Sequence, residues 1–213
     1  MTNQNEPASS PKDPSTIFVV DDDDAMRESL EFLLDSADFK VKSFASAHSF
    51  LEYYRPWMRG CLLLDVRMPG LSGLELQERL QARNLPIPII IMTAYANVPM
   101  AVRAMQAGAV DFLEKPFNEE QLLARIQQAI HSDSQARSRI DRAKEVRQHW
   151  ESLSPREKQV MELVVRGLLN KQIASELGLS MKTVEQHRAR VMTKMQADSL
   201  ADLVRMALLA ELG

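Results

Sequence analysis

Apolar positions follow two different periods through the first 130 residues. Short apolar runs at 16–20, 61–64, 87–92 and 110–113, and a weaker one holding Val41 and Phe44, are bounded by turn residues. Runs of this kind fit strands buried on both faces of a parallel sheet. Between them, apolar residues recur every three or four positions: Met26, Leu30, Leu33, Leu34 and Ala37, then Ala47, Phe50 and Leu51, then Leu74, Leu76 and Leu80 after Ser72. A further helix is predicted over 98–107, stopped by Gly108. Five strands alternating with helices predict an α/β domain with a doubly wound parallel sheet and right-handed crossovers.

From Glu119 no breaker occurs before Pro155, which predicts one long helix, roughly 48 Å over 119–150. Leu122, Leu123, Ile126, Ala129 and Ile130 form its apolar face, and the stretch to Arg147 is largely polar. Two readings of that stretch stay open. It is a solvated, partly frayed helix, or a linker that pairs with its twin in a dimer, although Asp133 interrupts the stripe. Beyond it the pattern is all-helical. Ser154-Pro155-Arg156-Glu157 is a capping box for a helix ending at Gly167. A short helix over 171–177 meets Gly178, Ser180 caps a helix over 181–195, and Ser199 caps a fourth. Two helices joined by a glycine turn, the second richer in Lys and Arg, are a helix-turn-helix signature. The expected organisation is therefore a tail at 1–15, an α/β domain at 16–130, a helical linker at 131–149 and a four-helix domain at 150–213.

Composition adds a compartment and a charge asymmetry. The chain is 45% hydrophobic and 26% charged, and it has no run of eighteen apolar residues that would predict a membrane span. The first fifteen residues are polar with three prolines, which predicts a disordered tail and no signal peptide. One cysteine, Cys61, excludes an intramolecular disulfide and reads as a small buried hydrophobe. These features predict a cytoplasmic protein. Residues 1–131 carry 12 Lys and Arg against 18 Asp and Glu, whereas residues 132–213 carry 14 against 11. An acidic module joined to a mildly basic one hints at a nucleic-acid partner for the second.

The candidate chemistry lies at strand ends. Asp65 closes an apolar run before Met68-Pro69-Gly70, where open α/β sheets bind their ligands. Asp21 to Asp24 follow the first strand. Asp23 and Asp24 are assigned to capping the next helix, and Asp21 and Asp22 are left at the strand mouth. The topology would gather Asp21, Asp22, Asp65, Thr93 and Lys115 in one cleft. Clustered carboxylates need a cation, and hard oxygen donors at an open site suit Mg²⁺. A carboxylate beside Mg²⁺ and a lysine is a plausible phosphoryl acceptor.

LLLDVRMPGLSGLEL, VVDDDD, MTA at 92–94 and LEKPF at 113–117 together resemble the receiver domain of two-component response regulators, with its flavodoxin-like (CheY-like) fold. The resemblance implies that Asp65 is the phosphoacceptor. It also implies that Asp21, Asp22, Asp65 and the backbone carbonyl of Arg67 hold Mg²⁺ (or Mn²⁺), that Thr93 and Lys115 receive the phosphoryl group, and that Phe112 is an aromatic switch coupled to Thr93. It further implies a cis Lys115–Pro116 bond. Arg67 and Tyr95 stand where bulk would shield the acyl phosphate. A competing likeness, Asp21-x-Asp23 to haloacid-dehalogenase-type phosphatases, is weakened by Ala25, by the lack of an acidic pair after the fourth strand, and by an unexplained Asp65.

LSPREKQVMELVVRGLLNKQIASELGLSMKTVEQHRARVMTKM resembles the LuxR-type helix-turn-helix domain. The whole chain is thus similar to the FixJ/NarL class of response regulators, and within it to FixJ and TodT/StyR-type regulators. Ala96-Asn97 departs from that group's usual loop. In helix 181–195, Val184, Val191 and Met195 share a face expected to be core. The resemblance places Glu185, Gln186 and Ala189 at base edges. Lys182, Thr183, Arg188, Arg190 and Lys194 read as phosphate contacts, and His187 as packing or a backbone contact. The implied partners are a sensor histidine kinase, double-stranded DNA at a pseudo-palindromic operator, a second copy of the phosphorylated chain and RNA polymerase, with no membrane. The implied protein is no enzyme beyond its own phosphorylation and dephosphorylation. The rival is a constitutive DNA-binding regulator whose receiver serves only for dimerisation.

Overall fold

A computed structural model describes residues 15–210, so the expected tail lies outside the described residues except for Ser15. The chain divides into two compact units between Ser134 and Gln135. The first holds β1 (Thr16–Val20), α1 (Asp24–Ser36), β2 (Lys40–Phe44), α2 (Ala47–Tyr53), β3 (Gly60–Asp65), α3 (Gly73–Ala82), β4 (Ile89–Thr93), α4 (Val98–Gln106), β5 (Asp111–Glu114) and the start of α5 (Glu119–Glu151).

All strand pairs are parallel, in the order β2-β1-β3-β4-β5. Alternate residues supply two cores. Phe18, Val20, Leu62, Leu64 and Ile91 pack with Phe50, Leu76 and Ala104 of α2, α3 and α4. Ile17, Val19, Cys61, Leu63, Ile90 and Met92 pack with Leu30 and Leu34 of α1 and Leu122 and Ile126 of α5. Every residue of β3 is buried. Each of its leucines contributes roughly 1.5–3 kcal/mol by that burial. The continuous apolar runs were therefore a sound strand signal, because both faces of the sheet are covered.

Caps and ends differ from expectation by single residues. Asp23 alone caps α1, its Oδ1 accepting from the N–H groups of Ala25 at 2.9 Å and Met26 at 3.3 Å. Asp24, expected to share that task, is already helical and pairs with Arg27. Ser72 and Glu75 form a capping box on α3, and Asn97 caps α4. α4 ends at Gln106, with Ala107 as its cap before Gly108 at φ +85°. The fifth strand runs one residue later than its apolar run, because Val110 points out of the core and is 45% exposed. The Lys115–Pro116 bond is cis.

The second unit contains the end of α5 with α6 (Pro155–Val165), α7 (Asn170–Leu177), α8 (Met181–Met195) and α9 (Leu200–Leu209). α7 begins one residue early, where the Leu169 N–H donates to Gln172 Oε1 at 2.8 Å. Gly178 adopts φ +65° in the turn before α8, a conformation that costs glycine nothing. Val184, Val191 and Met195 are buried with Val160, Leu163, Ile173 and Leu203. α5 is continuous to Glu151, but its end is no solvated tail. Val146 is 3% exposed within this core and Trp150 packs against it.

Candidate functional site

At the carboxyl ends of β1, β3 and β5 one ammonium joins two acids. Lys115 Nζ lies 2.6 Å from Asp21 Oδ2 and 2.7 Å from Asp65 Oδ1. The parallel register makes this possible: Val20 is level with Leu64, and Asp65 with Met92. The other oxygen of each acid is held by backbone. Asp21 Oδ1 accepts from the Asp23 N–H at 3.0 Å, and Asp65 Oδ2 from the Arg67 N–H at 2.6 Å. α3 starts hard against this strand end, since a Cβ on Gly73 would stand 2.1 Å from the Asp65 carbonyl oxygen. Only glycine fits there.

Burial pushes the Asp65 carboxyl up, Lys115 pulls it partly back, and nearby Asp21 adds to the rise. Burial opposes the charge on Lys115, yet its bonds to Asp21 and Asp65 outweigh that and raise it overall. The ammonium is therefore firmly charged, and Asp65 is the acid whose ionised form the fold disfavours. Asp22 is exposed at the mouth. Among the described residues no three acidic, His or Cys side chains already converge, because Lys115 stands between Asp21 and Asp65. Thr93 is 1% exposed and its Oγ1 accepts from the Tyr95 N–H at 3.3 Å. Phe112 is half-buried against the core beneath it. The Arg67 guanidinium stacks on the Tyr95 ring, 4.1 Å from its centroid.

In α8, Lys182, Glu185, Gln186, Ala189 and Arg190 are exposed, opposite the buried Val184, Val191 and Met195. Three neighbours have partners that the helical pattern did not foretell. Arg188 Nη1 donates to Asn170 Oδ1 of α7 at 2.8 Å. Lys194 Nζ donates to Glu157 Oε2 of α6 at 2.7 Å. Thr183 is half-buried and engages the Ser180 cap. Arg188 and Lys194, expected to grip phosphate, thus fasten α8 to the helices around it. His187 is half-buried, and its Nδ1 has no partner among the described residues.

Two family models match this chain. The response regulator receiver domain covers residues 17–127, and the luxR family of bacterial regulatory proteins covers residues 151–207. The chain belongs to the two-component response regulators with a LuxR-type DNA-binding domain. This response regulator is 52% identical to the transcriptional regulatory protein FixJ of Bradyrhizobium diazoefficiens over 91% of its own length and 95% of that protein. It is 47% identical to the response regulator TodT of Pseudomonas putida over 90% and 84%. Its structure resembles that of the response regulator StyR, with a TM-score of 0.83 at 49% identity over 92% of this chain and 98% of the other. Full-length FixJ from B. japonicum gives a TM-score of 0.58 at 51% identity over 93% and 98%. The five-stranded receiver and the helical DNA-binding domain are those the sequence predicted, and the response regulator acts on transcription. Among the described residues no helix is long and apolar enough to cross a membrane.

Proposed function

We propose that this response regulator is switched by phosphorylation of Asp65 from a sensor histidine kinase. The observation that carries the reading is the Asp21–Lys115–Asp65 bridge at the strand ends. A carboxylate oxygen of Asp65 attacks phosphorus, the P–N bond to the donor imidazole breaks, and an acyl phosphate forms on Asp65. Lys115 pairs with the new phosphoryl oxygens, and the Thr93 hydroxyl turns from the Tyr95 N–H to donate to one of them. Asp21, Asp22 and Asp65 set three acids against one ammonium and offer hard oxygen donors, so with the Arg67 carbonyl they fit Mg²⁺ or Mn²⁺. When bound, that ion neutralises charge on the transferring group. The protein's own chemistry is its phosphorylation and the later hydrolysis, in the cytoplasm beside the DNA.

Movement of Thr93 and Phe112 then changes the face of α4 and β5. Val98, Val102 and Met105 recur at helical spacing there and are exposed, with Val110 beside them. Such a patch supports pairing with a second phosphorylated copy. Two copies of α8 then meet successive major grooves of a pseudo-palindromic operator, and RNA polymerase is the downstream partner. Titrating beryllofluoride with Mg²⁺ should convert monomer to dimer by sizing and tighten operator binding together. Unchanged size and unchanged affinity would leave a constitutive regulator instead.

The stacked Arg67 and Tyr95 side chains lie two residues beyond Asp65 and Thr93, and this reading makes them a shield for the acyl phosphate. Each of Arg67→Ala and Tyr95→Ala is expected to shorten the phospho-Asp65 half-life about fivefold, the rate equivalent of roughly 1 kcal/mol of lost cation–π contact. Half-lives equal to that of the parent chain would remove this role. On α8, Gln186→Ala should cost about 1–3 kcal/mol at the cognate operator and relax base preference at one position. Arg190→Ala should weaken binding to all sequences alike and lower the salt slope by about one. Gel-shift titrations against single-base operator variants at several salt concentrations separate the two.

A further inference from the structure

One side chain outside the assigned set is anchored on both sides of Asp22. Arg27 Nη1 donates to the Asp21 backbone carbonyl at 2.7 Å, and Nη2 pairs with the Asp24 carboxylate. Its own N–H donates to the Asp23 carbonyl at 3.1 Å, within the first turn of α1. The Arg27 side chain is only 15% exposed, whereas the Asp24 side chain is 84% exposed. The guanidinium is therefore held in the loop and is not a surface charge that happens to meet an acid. Asp22 makes no hydrogen bond or ion pair with any described residue, although a guanidinium is tethered to its neighbours on either side.

We propose that Arg27 is a positioning residue for the cation site of the receiver, fixing the loop 21–24 so that the Asp22 carboxylate is presented unpaired. The inference rests on the phosphoacceptor reading above. A planar guanidinium suits this role, because its fork satisfies a backbone carbonyl and a carboxylate at once and a lysine has no such geometry. The opposing effect has the opposite sign. A positive charge beside an acidic site repels a divalent cation, so if Arg27 acted only through charge, its removal would tighten Mg²⁺ binding. If it acts by holding the loop, its removal weakens binding despite the more negative site. Partners that orient metal ligands from behind are worth about 10-fold or more in affinity, enough for positioning to prevail.

The test is calorimetric titration of MgCl₂ into the full chain, with thermal melting as a fold control. Arg27→Ala should raise the Mg²⁺ dissociation constant about tenfold. Arg27→Lys, which loses the fork but keeps the repelling charge, should weaken binding at least as much as Arg27→Ala does. Should Arg27→Ala fail to fold, the weakened affinity of Arg27→Lys carries the result alone. A parent chain that binds Mg²⁺ while both variants bind it equally well or more tightly overturns the inference and leaves the phosphoacceptor reading standing. A parent chain that binds no Mg²⁺ overturns both.

Discussion

Asp65→Asn is expected to take up no phosphoryl group from acetyl phosphate and to show no beryllofluoride-dependent gain in operator affinity, while folding like the parent chain. The first part follows from chemistry, because an amide oxygen is a poor nucleophile and yields no stable acyl phosphate. The second follows from the balance around Lys115. Asn keeps one acceptor, its amide oxygen, so it gives up either the bond from the ammonium at 2.7 Å or the one from the Arg67 N–H at 2.6 Å, while Lys115 keeps Asp21 at 2.6 Å. The variant also loses a buried charge that desolvation and Asp21 both disfavour. A lost charge-assisted hydrogen bond and a relieved buried charge oppose each other, so folding stability should stay within about 1 kcal/mol of the parent. Phosphate incorporation measured by Phos-tag electrophoresis, beside a thermal melt, checks both. A variant that still binds its operator with acetyl-phosphate-responsive affinity would mean that Asp65 is not the switch.

The near-neutral stability expected of this substitution shows what kind of information the sequence holds about such a site. Asp65 was legible because a carboxylate at the end of a run of buried apolar residues has no structural use there. The strands were legible for the related reason that a parallel sheet covered on both faces admits no charged residue along β3 before its closing Asp65. Failures came where an apolar residue serves a surface, as Val110 does, or where one acid of several identical neighbours takes a role, as Asp23 does in place of Asp24. Side-chain partners far apart in sequence were out of reach for another reason. Lys194 meets Glu157 across 37 positions and Arg188 meets Asn170 across 18, and helical periodicity gives only the face of its own helix. Half of the Arg27 arrangement could have been found, since Asp24 and Arg27 are three apart on one helix. Its bond to the Asp21 carbonyl depends on how the loop turns, which no spacing rule encodes.

That long-range pair in the DNA-binding domain yields the second large effect. Glu157 is 3% exposed, and its carboxyl is held down at about 2, first by the Lys194 ammonium and then by the Ser154 N–H. The same carboxylate thus closes the capping box of α6 and ties it to the last turn of α8, with the Ser154 N–H at 2.8 Å and Lys194 Nζ at 2.7 Å. Because the folded value lies below the ordinary 4.5, the contribution to stability is fully present above about 4.5 and is lost as pH falls toward about 2. The full linkage would exceed 3 kcal/mol, but the Lys194 side chain is 40% exposed to screening solvent. Roughly 2 kcal/mol is therefore the expected loss for Glu157→Gln at pH 7. Urea unfolding followed by Trp150 fluorescence, in a Trp57→Phe background of the full chain, isolates the unit concerned. The variant and its parent should differ by that amount from pH 7 down to about 5, then converge between pH 4.5 and 2 as the parent's carboxylate protonates. A gap that stays constant across the whole range would show that Glu157 stabilises the domain by shape alone. No gap at pH 7 would mean that Lys194 is free for DNA after all, and the salt slope of operator binding by Lys194→Met would then fall by about one.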